Sequence, residues 1–139
     1  MRILTDANFE NAISARAIDY SGQVRSGDTW RLRVLWELAD ELRDIESVQI
    51  ELATSGEMLI SETLPFSPDK PVMAWPPGAR RMVQYEIPIP AGLQPRRATP
   101  RLELVDRDGA ELTLGVDRKS SMETTLNLPP IQIVRGSAR

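Results

Sequence analysis

The 139-residue sequence predicts an all-β fold, an immunoglobulin-like two-sheet antiparallel β-sandwich of about eight strands. Short stretches in which apolar residues recur at every second position carry this expectation, together with the turn pairs between them. No crossover helices separate the stretches, so a parallel sheet is not expected.

Ala12 to Tyr20, with Ile13, Ala15 and Ala17 two apart, is the first strand candidate. Gly27-Asp28 is turn chemistry and opens the clearest strand, Thr29 to Leu38, in which Trp30, Leu32, Val34, Trp36 and Leu38 share one face. Glu37 to Glu46 holds Leu38, Leu42 and Ile45 at helical spacing and is expected as a loop or a single helical turn. Six acids against one arginine between Glu37 and Glu51 make it a solvated acidic rim. Ser47 to Ala53 alternates again, and Ser55-Gly56 turns it into a short return strand, Met58-Leu59-Ile60.

Nine of the eleven prolines lie between Pro65 and Pro100. Proline has no N–H and a fixed φ, so Leu64 to Gly78 is expected as a long ordered loop, with Phe66 and Trp75 its aromatic pair. From Arg81 onward Val83, Tyr85, Ile87 and Ile89 alternate with Met82, Gln84 and Glu86 on the other face, and Pro88 and Pro90 predict a strand that ends at a sheet edge. Thr99 to Val105 and Ala110 to Val116 flank Asp106-Arg107-Asp108-Gly109 as a hairpin, and Ile131 to Val134 is the last candidate. Residues 1–139 read as one domain, with a core from about 9 to 134 and a flexible tail over 135–139.

Composition narrows the functions. A net charge of −3 supplies no basic field for a polyanion, so nucleic acid is not expected as a partner. With neither cysteine nor histidine, the chain lacks thiolate ligands, disulfides and the commonest general base, and no cofactor or metal site is expected. No apolar run is long enough to span a bilayer.

Gly27 to Trp36, Met73-Ala74-Trp75-Pro76-Pro77-Gly78, Tyr85-Glu86-Ile87-Pro88-Ile89-Pro90 and Arg101 to Asp106 with Gly109 follow one another over roughly residues 9 to 116. In this order they resemble the extracytoplasmic C-terminal β-sandwich domain of bacterial polytopic membrane glycosyltransferases of the dolichyl-phosphate-mannose mannosyltransferase type. The chain departs from that pattern at Leu93-Gln94-Pro95-Arg96-Arg97, where such domains carry a Pro-Gly pair before a Tyr-rich strand. The resemblance implies an extracytoplasmic location and no catalytic residues in this portion. A chain that is the whole gene product would instead be expected in the cytoplasm.

Each candidate site has a structural counterpart. Asp106, Asp108 and Gly109 begin like a calcium loop, but Gly115 stands where the closing glutamate belongs, which leaves a hairpin turn. Ser67-Pro68-Asp69-Lys70 matches a Ser-x-x-Lys acyl-transfer motif, but the prolines forbid the helix that chemistry requires. Trp75, with Phe66, is either a platform for a sugar ring or partner, or a lid on one end of the sandwich. Arg96 and Arg97, with Arg101, are either a contact for a phosphate or acidic partner or ordinary surface charge. The leading expectation is a non-catalytic accessory domain, of a larger envelope-associated protein, that contacts other domains or a protein partner. The alternatives are a carbohydrate-binding module built on Trp75 and a sandwich hydrolase with a carboxylate pair near Glu37, Glu51, Glu86 or Glu103. Edge strands also leave open pairing between two copies.

Overall fold

The computed structural model describes residues 2–10, 12–38, 44–68, 71–76, 78–114 and 123–136. Ten strands form two facing sheets: β1 (Arg2–Phe9), β2 (Ile13–Tyr20), β3 (Gln23–Arg25), β4 (Thr29–Leu38), β5 (Ile45–Thr54), β6 (Glu57–Pro65), β7 (Arg80–Pro88), β8 (Arg96–Asp106), β9 (Leu126–Asn127) and β10 (Ile131–Val134). One sheet has the order β1-β2-β4-β7; the other runs β3-β10-β8-β5-β6, with β9 also on β8.

The alternation in β4 places Trp30, Leu32, Val34, Trp36 and Leu38 inside, opposite Val48, Ile50 and Leu52 of β5 and Leu102 and Leu104 of β8. β7 adds Val83, Tyr85 and Ile87 to the same interior. β2 obeys the rule less visibly because a bulge interrupts its pairing with β4 between Ala15 and Ala17. The inserted Arg16 reaches out, where its Nε lies 2.7 Å from a carboxylate oxygen of Glu37.

Several expectations are corrected. The described residues form ten strands, because β1, β3 and β9 carry too little period-two signal to be read. Their pairing is not wholly antiparallel, since β3 lies parallel to β10. Leu38 and Ile45 close and open strands instead of sharing a helical face; residues 39–43 lie outside those described. The return strand β6 is longer than Met58 to Ile60, and the proline-rich loop after it contains one 3-10 turn, Val72–Ala74. The second hairpin arm after Gly109 is shorter than expected and forms no full strand among the described residues. Ala110 to Leu112 run antiparallel to the end of β8 through the bridge of Val105 with Glu111 and the bonds from Asp106 N to Ala110 O and from Leu112 N to Leu104 O, while 115 and 116 lie outside the described residues. The prolines also explain why β9 and β10 are separate: both pair with β8, at Arg101–Leu102 and at Arg96–Ala98, and Pro129-Pro130 breaks what would otherwise be one ladder.

Two tyrosine hydroxyls tie the sheets together. Tyr85 Oη accepts from Trp36 Nε1 at 3.0 Å and donates to Phe66 O at 2.6 Å, joining β4 and β7 to the end of β6. At the other end Tyr20 Oη donates to Pro129 O at 2.7 Å, and Trp30 Nε1 to Ser21 O at 3.1 Å. Burial pushes the Tyr20 phenol up to about 12 and raises that of Tyr85 further. Tyr85→Phe keeps the ring but leaves a buried indole N–H and a carbonyl without their partner, so we expect a loss of about 1–3 kcal/mol in urea unfolding with the m-value unchanged.

Candidate functional site

The side chains that sequence reasoning singled out are not gathered in one place. Trp75 is 4% exposed and Phe66 1%, and their rings meet at a tilt of 43° with 5.8 Å between centroids. Phe66 in turn packs on Trp36 at 4.9 Å, and Trp36 on Phe9 at 6.2 Å, so a continuous line of rings closes this end of the sandwich. The Arg81 guanidinium covers Trp75 at 5.6 Å from its ring centre. A sugar-stacking platform needs an open aromatic face, and Trp75 presents none. The three tryptophans, two tyrosines and two phenylalanines of the chain are all buried.

Arg96 and Arg97 are neighbours on β8, so the pleat sends them to opposite faces. Arg96 is half-buried, with Nη1 3.4 Å from Glu57, whereas Arg97 is exposed. Arg101 lies in the same phase as Arg97 but two pleat repeats further along, with its Nε buried and unpartnered. The three arginines therefore do not converge on one anion.

Asp106 closes a turn. Its Oδ1 accepts from Asp108 N and Ala110 N, both at 2.9 Å, and Gly109 N bonds back to Asp106 O at 3.1 Å with φ +86° at the glycine. The carboxylate is committed to backbone donors, as a turn requires. Of the Ser-x-x-Lys motif, Asp69 and Lys70 lie outside the described residues.

The four acids divide between the outer faces of the two sheets. On the first sheet Glu37 bridges Arg16 and Arg80 at 2.7 and 3.1 Å, and Glu86 lies 3.3 Å from Arg31. On the second, Glu51 faces Arg101 across the ladder and Glu103 faces Gln49, which sets the two carboxylates on a cross-strand diagonal. Thr125 donates to Glu103, and Thr124 to Glu111 at 3.0 Å, so this patch fastens the segment leading into β9 onto β8. Among the described residues no group of His, Cys, Asp or Glu is arranged to hold a metal ion.

Sequence reasoning missed Glu10. It adopts φ +51° and is buried; its backbone N–H donates to Thr113 O at 3.0 Å, and its Oε2 accepts from Thr113 N at 2.8 Å. That reciprocal pair moors the segment after β8 to the β1–β2 turn, and a single glutamate between Phe9 and Asn11 carries no sequence signal for it.

No family model matches the chain, and no curated protein does. Among solved structures the chain is similar to a β-glucosidase from Listeria innocua, at 11% identity and TM-score 0.43, covering 94% of this chain and 16% of that one. The same enzyme in complex with glucose gives 10% identity and TM-score 0.44, over 92% and 16% of the two chains. The Pseudomonas fluorescens alkylpurine DNA glycosylase AlkC, bound to DNA containing an abasic site analog, gives 12% and 0.44, over 91% and 31%. The chain thus spans less than a third of the length of either protein.

Two measurements check this reading. With every tryptophan buried, the emission should be blue-shifted, resist iodide quenching and stay unchanged on titration with glycans; strong quenching would place an indole in solvent. The acids should respond to pH with opposite signs. The Arg16 bond holds the Glu37 carboxyl below its usual range, so its stabilisation is present above the ordinary pKa and is lost as pH falls through the lowered one. Desolvation, with Glu103 nearby, raises Glu51, so stability is fullest below the ordinary pKa and declines as pH rises through the raised one. Glu37→Gln should therefore lower the melting temperature at pH 7 and Glu51→Gln raise it, by under about 1 kcal/mol for Glu51; on acidification the Glu51 difference should vanish below the ordinary carboxyl pKa, and the Glu37 difference only once pH has fallen through its lowered one.

Proposed function

We propose that this chain is a non-catalytic accessory domain of immunoglobulin-like topology that belongs to a larger, envelope-associated protein and acts through contacts with other domains or a protein partner. The strand order is the observation that carries the topology. Reading β2, β4 and β7 as strands A, B and E, and β5, β8 and β10 as C, F and G, supports a match of the two sheets to the ABE and CFG layers of that fold. The short β3 leaves the first layer after β2 and lies parallel to the last strand, and β1 and β6 extend the two sheets.

The accessory role is supported by how the reactive side chains are used. The tyrosine hydroxyls and two of the indoles bond to partners inside the fold, Asp106 caps a turn, and Glu37 and Glu86 sit in ion pairs. The envelope location rests on the resemblance of Gly27 to Trp36 and its companion stretches to the mannosyltransferase-type C-terminal domain.

Fractionation of native cells, probed with an antibody raised against this chain, tests both parts together. The expected result is a polypeptide much larger than 15.6 kDa in the envelope fraction, cut by protease added outside the inner membrane. A soluble cytoplasmic polypeptide of 15.6 kDa would overturn the assignment.

A further inference from the structure

We propose that two copies of this chain pair antiparallel along the open edge of β7, joining their β1-β2-β4-β7 sheets into one continuous sheet about a two-fold axis at Val83. This association stands on the geometry of the edge and does not depend on the envelope location.

β7 bonds to β4 on one side only. Ile89 N donates to Asp28 O and Leu38 N to Ala79 O, so in the alternating antiparallel pattern the odd-numbered residues 79–89 aim their backbone groups at β4. The N–H and C=O groups of Arg80, Met82, Gln84 and Glu86 consequently point out of the sheet, and among the described residues no backbone bond is made to them from that side. Pro88 lies in the same phase, so its missing N–H falls on the open side and ends the usable edge. Met82, on the outer face of this strand, is 52% exposed.

Pairing with a second copy must keep apolar faces on the same side, which limits the register to steps of two residues. Centred on Val83, Arg80 stands opposite Glu86 of the second copy and Met82 opposite Gln84, each pair exchanging both hydrogen bonds. Charge then alternates across the seam, because Arg16, Glu37 and Arg80 in one copy are followed by Glu86 and Arg31 in the other. Centred on Gln84, Arg80 would face Pro88, which has no N–H to give. Centred on Met82, Arg80 would face Gln84, and Glu86 would run past the strand. The occupant favoured by this edge is therefore the same edge of another copy.

The chain has no cysteine, so single introduced cysteines report register cleanly. Sedimentation of the full chain should show a concentration-dependent monomer–dimer equilibrium. Gln84→Pro removes an N–H that β4 does not use and should weaken the dimer by about tenfold or more while the monomer stays folded. Mild oxidation of a mixture of Met82→Cys and Gln84→Cys should yield the mixed disulfide in preference to either symmetric one. A chain that stays monomeric up to millimolar concentration, a dimer indifferent to Gln84→Pro, or cross-linking dominated by 82–82 or 84–84 pairs would each overturn the proposal.

Discussion

The bond from Trp36 to Tyr85 and on to Phe66 O constrains the rest of this fold. A phenol cannot be buried with its hydroxyl unpaired, so the inward-facing strands β4 and β7 must meet the end of β6 at one height. Phe66 is thereby fixed against Trp36, and Trp75 against Phe66, which turns a proline-rich segment into a closed end of the sandwich. Tyr20 and Trp30 repeat the device at the opposite end through Pro129 and Ser21. Each tyrosine reaches from the first sheet to a carbonyl at the margin of the second.

This arrangement decides where recognition can occur. With all the aromatic residues internal, flat stacking surfaces are absent, and what the domain offers a partner is backbone edges and charged outer faces. The outer faces are partly neutralised from within, as Glu37 draws in Arg16 and Arg80 and Arg31 draws in Glu86. Such exposed pairs contribute little stability individually. They order the long side chains beside the open edge of β7, however, and an ordered charge pattern can distinguish one register from another.

Regular alternation made β4, β5, β7, β8 and β10 legible, because one buried face imposes period two on any strand flanked by a core. β2 was weaker because the bulge at Arg16 shifts the phase midway. β1, β3 and β9 were not legible: β3 and β9 are too short for periodicity, and the pairing of β1 also slips between Leu4 and Ala7. The tight turns at Gly56 and Gly109 were readable, since positive φ selects glycine there.

The sequence by itself determined the strand-rich fold, the turns, the limits imposed by the prolines and the absence of cysteine and histidine chemistry. These are local properties, set by neighbouring residues and by residue type. Only the tertiary structure decided that Trp75 is covered, that Arg96 meets Glu57, that β3 crosses to lie parallel to β10, and that Glu10 holds Thr113. Each depends on which distant segment packs against which, a choice made by the shared core and its two buried hydroxyls, and no window of neighbouring residues encodes it.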